Sequence, residues 1–539
     1  MPDNLKRYTI PSVLLAAVAA FALSACGGNS SEDAASALAK YMPADALVYV
    51  EGAVRPDQDV ADNVNDIATK LTGTSLSETL DKALDQQDGD SDITYDTDVE
   101  PWLGDNAAMY VGGDVLAATD SAALITPASY DPTAVAGVDG SVDQDVGLVA
   151  ESTDVAASQS FIDKAAGEND ATEGEYEGFS YKISPEDSSV LGIVDDNVVF
   201  ATSEDVFKSM VDASKGENLV STEAFSAVSG DVADGSLMSM YVANEPILSA
   251  TQEGTGGVDL SSFYNALGMD MADTGTIVSM VPESDRISIV GTSNLETTIE
   301  SGDPSELIES FPANSIFATG SGDVGENLTT IMDAINEEGI DGLLRPGDLQ
   351  KNLNQMSQGL DIADIIESLQ DVGFFVSGDS IQNLGGALVA TTSDPGPLKT
   401  SLGLISSLAA ASGDAKITTL KGGVTGFSVR TPELPGRPVV VAIQDDRLVV
   451  GIGLRPSLQA LSGNGDSLAG SDAYKAAADS LGGENVDMFG DPGAIAALLN
   501  GVGDESADQA AEIMNKFEYV VSGSASEDNS FQFNLGLSD

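Results

Sequence analysis

Two pairs of adjacent aspartates, Asp195-Asp196 and Asp445-Asp446, are the first residues in this sequence whose type and spacing suggest chemistry. Paired carboxylates carry the acid/base work of glycoside hydrolysis. Each pair lies between two short apolar runs, where Asp is also favoured for turn geometry alone. Neighbouring side chains in a turn do not converge on one bond, so hairpin turns are expected. The run from Asp85 to Asp98 (DQQDGDSDITYDTD) offers a second possibility, oxygen ligands for a hard cation such as Ca2+. Counted as a calcium loop from Asp88, position six is Ile93 in place of Gly and position twelve is Val99 in place of Glu. Asp88, Asp90 and Asp92 thus stand as a low-affinity Ca2+ candidate against a solvated loop, and no other cofactor is expected. Trp102 and Tyr110 fit either a sugar platform or a core at a strand edge.

Composition removes most other reactions. Among 539 residues there is no His and one Cys, so Ser-His-Asp triads, Cys-His pairs and His-ligated metals are excluded. No Ser stands three residues before a Lys, and no phosphate-binding Gly-x-x-x-x-Gly-Lys loop is present. With 87 acidic against 22 basic residues the formal charge is −65. A surface of that sign excludes nucleic acid as a partner.

The first 26 residues read as an address. Lys6 and Arg7 precede an apolar run from Val13 to Leu23, too short to span a bilayer comfortably. Leu23-Ser24-Ala25-Cys26 then resembles the lipobox of bacterial lipoproteins: an aliphatic residue, two small residues and Cys. In that family the Cys thiol carries diacylglycerol and becomes the N-terminus. The resemblance implies a lipid anchor at Cys26 in a bacterial cell membrane, on its extracytoplasmic face. Cys26 has no second thiol in the chain to pair with. Loss of the signal leaves the acidity almost untouched, so anionic lipid heads are expected to repel so acidic a surface, and the acyl chain, not the protein surface, is expected to supply the membrane affinity.

Comparison of the chain with itself shows matching pieces in the same order. Pro43-Ala44-Asp45 before Leu47 to Val50 recurs as Pro312-Ala313-Asn314 before Ile316-Phe317. Asp98 to Gly113 recurs as Asp364 to Asp379, Leu148-Val149-Ala150 as Leu388-Val389-Ala390, Gly178-Phe179-Ser180 as Gly426-Phe427-Ser428, and Ile193 to Val199 as Ile443 to Val449. The elements are short strands rich in Val, Ile, Phe and Tyr, alternating with helices. Asp154 and Asp394 read as N-caps, the latter with Pro395 at the first helical position. Near-adjacent strands predict hairpins and so largely antiparallel sheets. The expectation is α+β: two tandem homologous domains, each a largely antiparallel sheet with helices packed on one face. The boundaries are a signal at 1–26, a flexible tether at 27–40, a first repeat at 41–297, a linker at 298–311 and a second repeat at 312–539. Some 26 extra residues are expected between Gly113 and Leu148 of the first repeat.

The opener Met42 to Val50 and the hairpin-then-helix block Gly192 to Val211, with its twin Ala442 to Leu461, resemble a family of bacterial envelope proteins known as domain of unknown function 3352. That resemblance brings no reaction and no catalytic residues. The functional expectation is a lipid-anchored, extracytoplasmic, non-enzymatic binding or envelope module. It would meet the membrane through its N-terminal lipid and an unidentified protein or ligand through its folded part. Two alternatives remain: a carrier holding an apolar ligand between sheet and helices, and a carboxylate- or metal-dependent hydrolase.

Overall fold

Asp195 and Asp196 both adopt left-handed backbone angles, with φ of 47° and 70°. They are the two central residues of a tight turn in which Val194 opposes Asn197. Positive φ at both positions matches the twist of the flanking strands, and Asp tolerates it better than branched residues do. The apolar runs on either side therefore zip into a hairpin. Gln444 and Arg447 close the equivalent turn around Asp445-Asp446.

The computed structural model describes residues 37–74, 93, 95–112, 145–167, 171–185, 187–245, 261–299, 302–340, 344–356, 362–412, 416–420, 423–430, 434, 436–463, 465–525 and 529–538. The chain divides into two compact units. One comprises Met1–Gly257, Met271–Ser284 and Ile289–Leu295, and the other Val258–Asp270, Asp285–Ser288 and Glu296–Asp539. In chain order the earlier elements are β1 (Val48–Ala53), α1 (Gln58–Thr72), β2 (Leu103–Gly112), β3 (Asp145–Ser152), α2 (Val155–Gly167), β4 (Thr172–Tyr176), β5 (Phe179–Ile183), β6 (Val190–Val194) and β7 (Asn197–Ala201). Then come α3 (Glu204–Lys215), α4 (Glu223–Val228), β8 (Met238–Ala243), α5 (Ser261–Ala266), β9 (Gly275–Pro282) and β10 (Arg286–Ser293). Within the first unit the strands pair antiparallel in the order β4-β5-β6-β7-β3-β2-β1-β8-β9.

The later elements are α6 (Ser305–Glu309), β11 (Ser315–Ser321), α7 (Val324–Glu338), α8 (Asp348–Met356), α9 (Ile362–Glu367), β12 (Leu369–Ser377), β13 (Gly385–Thr392), α10 (Pro395–Ser412), β14 (Lys416–Thr419), β15 (Thr425–Arg430), β16 (Val439–Gln444) and β17 (Arg447–Ile452). They close with α11 (Leu454–Ser462), α12 (Asp472–Ser480), β18 (Asn485–Gly490), α13 (Pro492–Asn500), α14 (Glu505–Met514), β19 (Phe517–Ala525) and β20 (Ser530–Leu537). The second unit's strands pair antiparallel in the order β14-β15-β16-β17-β13-β12-β11-β18-β19-β20.

Both expected caps are present: Asp154 Oδ1 accepts from the N–H groups of Ala156 and Ala157, and Asp394 Oδ1 from that of Gly396. Helices, however, cover both faces of the first sheet, where one face was expected. Val199 belongs to a core with Phe207 and Met210 of α3, while its neighbours Val198 and Phe200 belong to another with Phe161 and Ile162 of α2. Adjacent strand residues point to opposite faces, so a run such as Val198 to Phe200, apolar at every position, needs cover on both sides. Two boundaries also move. Leu38 and Ala39, at the end of the expected tether, are buried in the first core, and Leu307, Ile308 and Phe311 of the expected linker are buried in the second. Their apolar side chains gain more from burial than a tether or linker would allow. The connection from β2 to β3 runs from Gly112 to Asp145, whereas that from β12 to β13 runs only from Ser377 to Gly385.

Candidate functional site

The lipobox residues Leu23, Ser24, Ala25 and Cys26 lie outside the described residues, as do Asp88, Asp90 and Asp92. The end of the acidic run that is described serves the fold. Both carboxylate oxygens of Asp98 accept from Lys164 Nζ at 2.8 Å, and its backbone carbonyl accepts from Trp102 Nε1 at 2.8 Å. Trp102 is buried against Phe161 with ring centroids 5.4 Å apart. Tyr110 is buried on the other face of the sheet, its hydroxyl 3.5 Å from Ser209 Oγ. Both aromatics are core. Asp195, Asp196, Asp445 and Asp446 are exposed on their turns, and among the described residues no group of three or more acids is placed to hold a metal ion.

The chemically unusual group is one that the sequence reading passed over. In β1, alternation directs Tyr49 and Glu51 to the same buried face. Glu51 is only 5% exposed, and Tyr49 donates its hydroxyl hydrogen to Glu51 Oε2 at 2.5 Å. Among the described residues Glu51 Oε1 has no hydrogen-bond partner. Burial raises the Glu51 pKa from 4.5 to about 8; the Tyr49 hydrogen bond opposes this, and the charge of Glu151 adds to it. At neutral pH the group is therefore a buried neutral acid. Tyr49 itself is pushed up by burial and then by Glu51. Strand register places Tyr49 between Tyr110 and Tyr241, and Phe225 packs edge-on against both Tyr49 and Tyr241. Closed in by aromatic rings, the Tyr49–Glu51 pair is positioned to tune stability and is not open to a substrate. In the second unit Ala318 takes the register of Tyr49, between Phe375 and Phe489, and Gly320 that of Glu51, opposite Gly373, so the position holds no acid.

The opposite face of the second sheet carries an uncovered apolar row. Phe374 of β12 opposes Leu388 of β13, which opposes Val450 of β17. These three side chains are 41%, 42% and 40% exposed. Met109, Leu148 and Phe200 form the equivalent row in the first unit, where Leu148 and Phe200 are 0% exposed. The first unit's row is covered by a cluster that includes Trp102 with Phe161, Ile162 and Ala165 of α2. Trp102 stands just before β2 and its carbonyl accepts from Thr153 N–H; in the second unit Ser368 stands just before β12 and its carbonyl accepts from Ser393 N–H. The indole joins the cluster over Leu148 and Phe200, whereas Ser368 turns its small hydroxyl to Ile365 O and Thr392. A small depression is lined by Ala166, Ala171, Lys182, Ser184, Ser189 and Leu191.

No curated protein matches this sequence. Solved structures that align with it include crystal forms I and III of TP0453, both at 10% identity. Form I covers 49% of this chain and 78% of that one with a TM-score of 0.22; form III covers 79% and 97% with a TM-score of 0.15. A family model described as "Protein of unknown function (DUF3352)" matches residues 9–489, which takes in both hairpin-then-helix blocks and the apolar row. This chain belongs to that family.

Proposed function

We propose that this protein is a lipid-anchored, extracytoplasmic, non-enzymatic binding module of a bacterial cell membrane, built from two tandem homologous α+β domains. The observation that carries the binding role is the row Phe374–Leu388–Val450. A protein so acidic gains nothing in solubility from three adjacent exposed apolar side chains, and such patches mark interaction surfaces. The duplication is supported by strand orders that agree over nine strands when counted within each unit, the second unit adding β20 at its edge, and by the paired positions of Trp102 and Ser368. The anchor is supported by the quartet Leu23-Ser24-Ala25-Cys26 after its apolar run.

Two measurements test this reading. Mass spectrometry of the mature N-terminal peptide should find diacylglycerol on Cys26, and Cys26→Ser should leave the membrane fraction; an unmodified peptide refutes the anchor. An apolar fluorescent dye should bind the native protein and lose most of its signal in Phe374→Ser/Leu388→Ser with the melting curve retained. Unchanged dye binding refutes the surface.

A further inference from the structure

Residues 395–465 invert the charge of the chain, with seven Lys or Arg against four Asp or Glu, in a sequence that holds 22 against 87. Three of these cations gather at one end of the second unit's sheet. Arg430 ends β15, Arg437 lies two residues before β16, and Arg455 stands in the first turn of α11, directly after β17. Register holds them together: Val429 opposes Val439, Val439 opposes Ile452, and Ile452 opposes Gly386. Arg437 reaches across this end, donating from Nη1 to Leu384 O at 2.9 Å. Among the described residues none of the three arginines forms an ion pair, and Arg430 and Arg455 are exposed. The carboxylate of Asp379, in the β12–β13 connection, accepts instead from Asn383.

The same end exposes aliphatic side chains. Ile381 lies in the connection closed by Ser377 opposite Gly385, and Ile452 and Leu454 flank Gly453 at the end of β17. Ile452 sits two residues beyond Val450, so this end continues the apolar row. Unpaired guanidinium groups beside exposed aliphatic side chains match an anionic amphiphilic surface: phosphates accept from arginine in bidentate fashion, and the aliphatic groups enter the headgroup–acyl boundary. Screening limits the reach of charge to about 8 Å at physiological ionic strength, so acids on distant surfaces do not cancel this local attraction.

We propose that this end of the second unit docks onto an anionic lipid bilayer. The inference rests on the membrane-anchored reading only for what brings the surface near a bilayer, so its test uses protein that carries no lipid. The chain from residue 27, which contains every described residue, is mixed with vesicles of phosphatidylcholine alone or with phosphatidylglycerol, and flotation is measured. The expected result is flotation with the anionic vesicles only, weakening with salt. Arg430→Gln/Arg455→Gln should lower partitioning about thirty-fold, from the attraction of two surface cations to anionic lipid. Leu454→Ser should lower it as well, while circular dichroism melts show that each variant folds. Absent flotation, equal flotation of the double variant, or self-association that Leu454→Ser abolishes without any vesicle binding would each overturn the proposal. Flotation together with an unmodified Cys26 would sustain the docking surface and remove the anchor.

Discussion

Glu51 makes the stability of the first unit depend on pH in a direction opposite to that of paired carboxylates. Its pKa is 4.5 in the unfolded chain and about 8 in the fold. Below pH 4.5 both states hold the proton and the group costs nothing. Above it the unfolded state releases a proton that the folded state keeps, and stability falls by about 1.36 kcal/mol per pH unit until the folded group ionises near pH 8. At pH 7 the loss is about 3 kcal/mol, from 2.5 pH units at that slope. Glu51→Gln keeps the shape and still accepts from Tyr49, but does not titrate. The variant should gain roughly 2.5 kcal/mol over the native protein between pH 5 and pH 7, and its advantage should level off above pH 8. Trp102, the sole tryptophan, is buried in the first unit, so its emission during urea unfolding reports on that unit. Tyr49→Phe removes the hydrogen bond that lowers the Glu51 pKa, so the window should extend to higher pH. Parallel stability–pH curves for the native protein and Glu51→Gln would refute the assignment of a buried neutral acid.

The two apolar rows predict unequal responses to one substitution. Leu148→Ala, at a fully buried site, should cost about 2–5 kcal/mol in the Trp102 urea transition. Leu388→Ala, with that side chain 42% exposed, should cost no more than about 1 kcal/mol by circular dichroism. Equal losses would mean that the second row is covered. Salt should raise the melting temperature, because 87 acids against 22 cations repel one another in the folded state and 1 M salt shortens the Debye length to about 3 Å. At matched ionic strength, a larger effect of CaCl2 than of NaCl that disappears in Asp88→Asn/Asp90→Asn/Asp92→Asn would identify a calcium site; equal effects would remove it.

Local chemistry made much of the secondary structure legible. Asp-Asp between two branched runs admits little besides a tight hairpin turn, and Asp394-Pro395 before Leu398 and Leu402 marks a helix start, as the structure bears out. Trp102 and Tyr110 remained ambiguous because an aromatic residue at a strand edge packs or binds according to what lies across from it. Glu51 was passed over because, in a chain with 87 acids, one more acid draws no notice. Alternation with Tyr49 was the available signal, since it assigns Glu51 the parity of a buried neighbour. The charge inversion over residues 395–465 was equally available and was hidden in the overall total of −65.

The sequence by itself determined the antiparallel hairpins, the capped helices between them and the excess of acid, because each follows from neighbours along the chain. Tertiary structure alone decided which faces are covered. Leu148 and Leu388 occupy similar strands, yet one is sealed in a cluster with Trp102, Phe161 and Ile162 and the other is 42% exposed. It also decided that Glu51 loses its water while Asp195 keeps it, and that Arg430, Arg437 and Arg455 come together. The reason is that burial and charge proximity depend on which strands lie side by side, and strands far apart in sequence become neighbours only when the sheet closes.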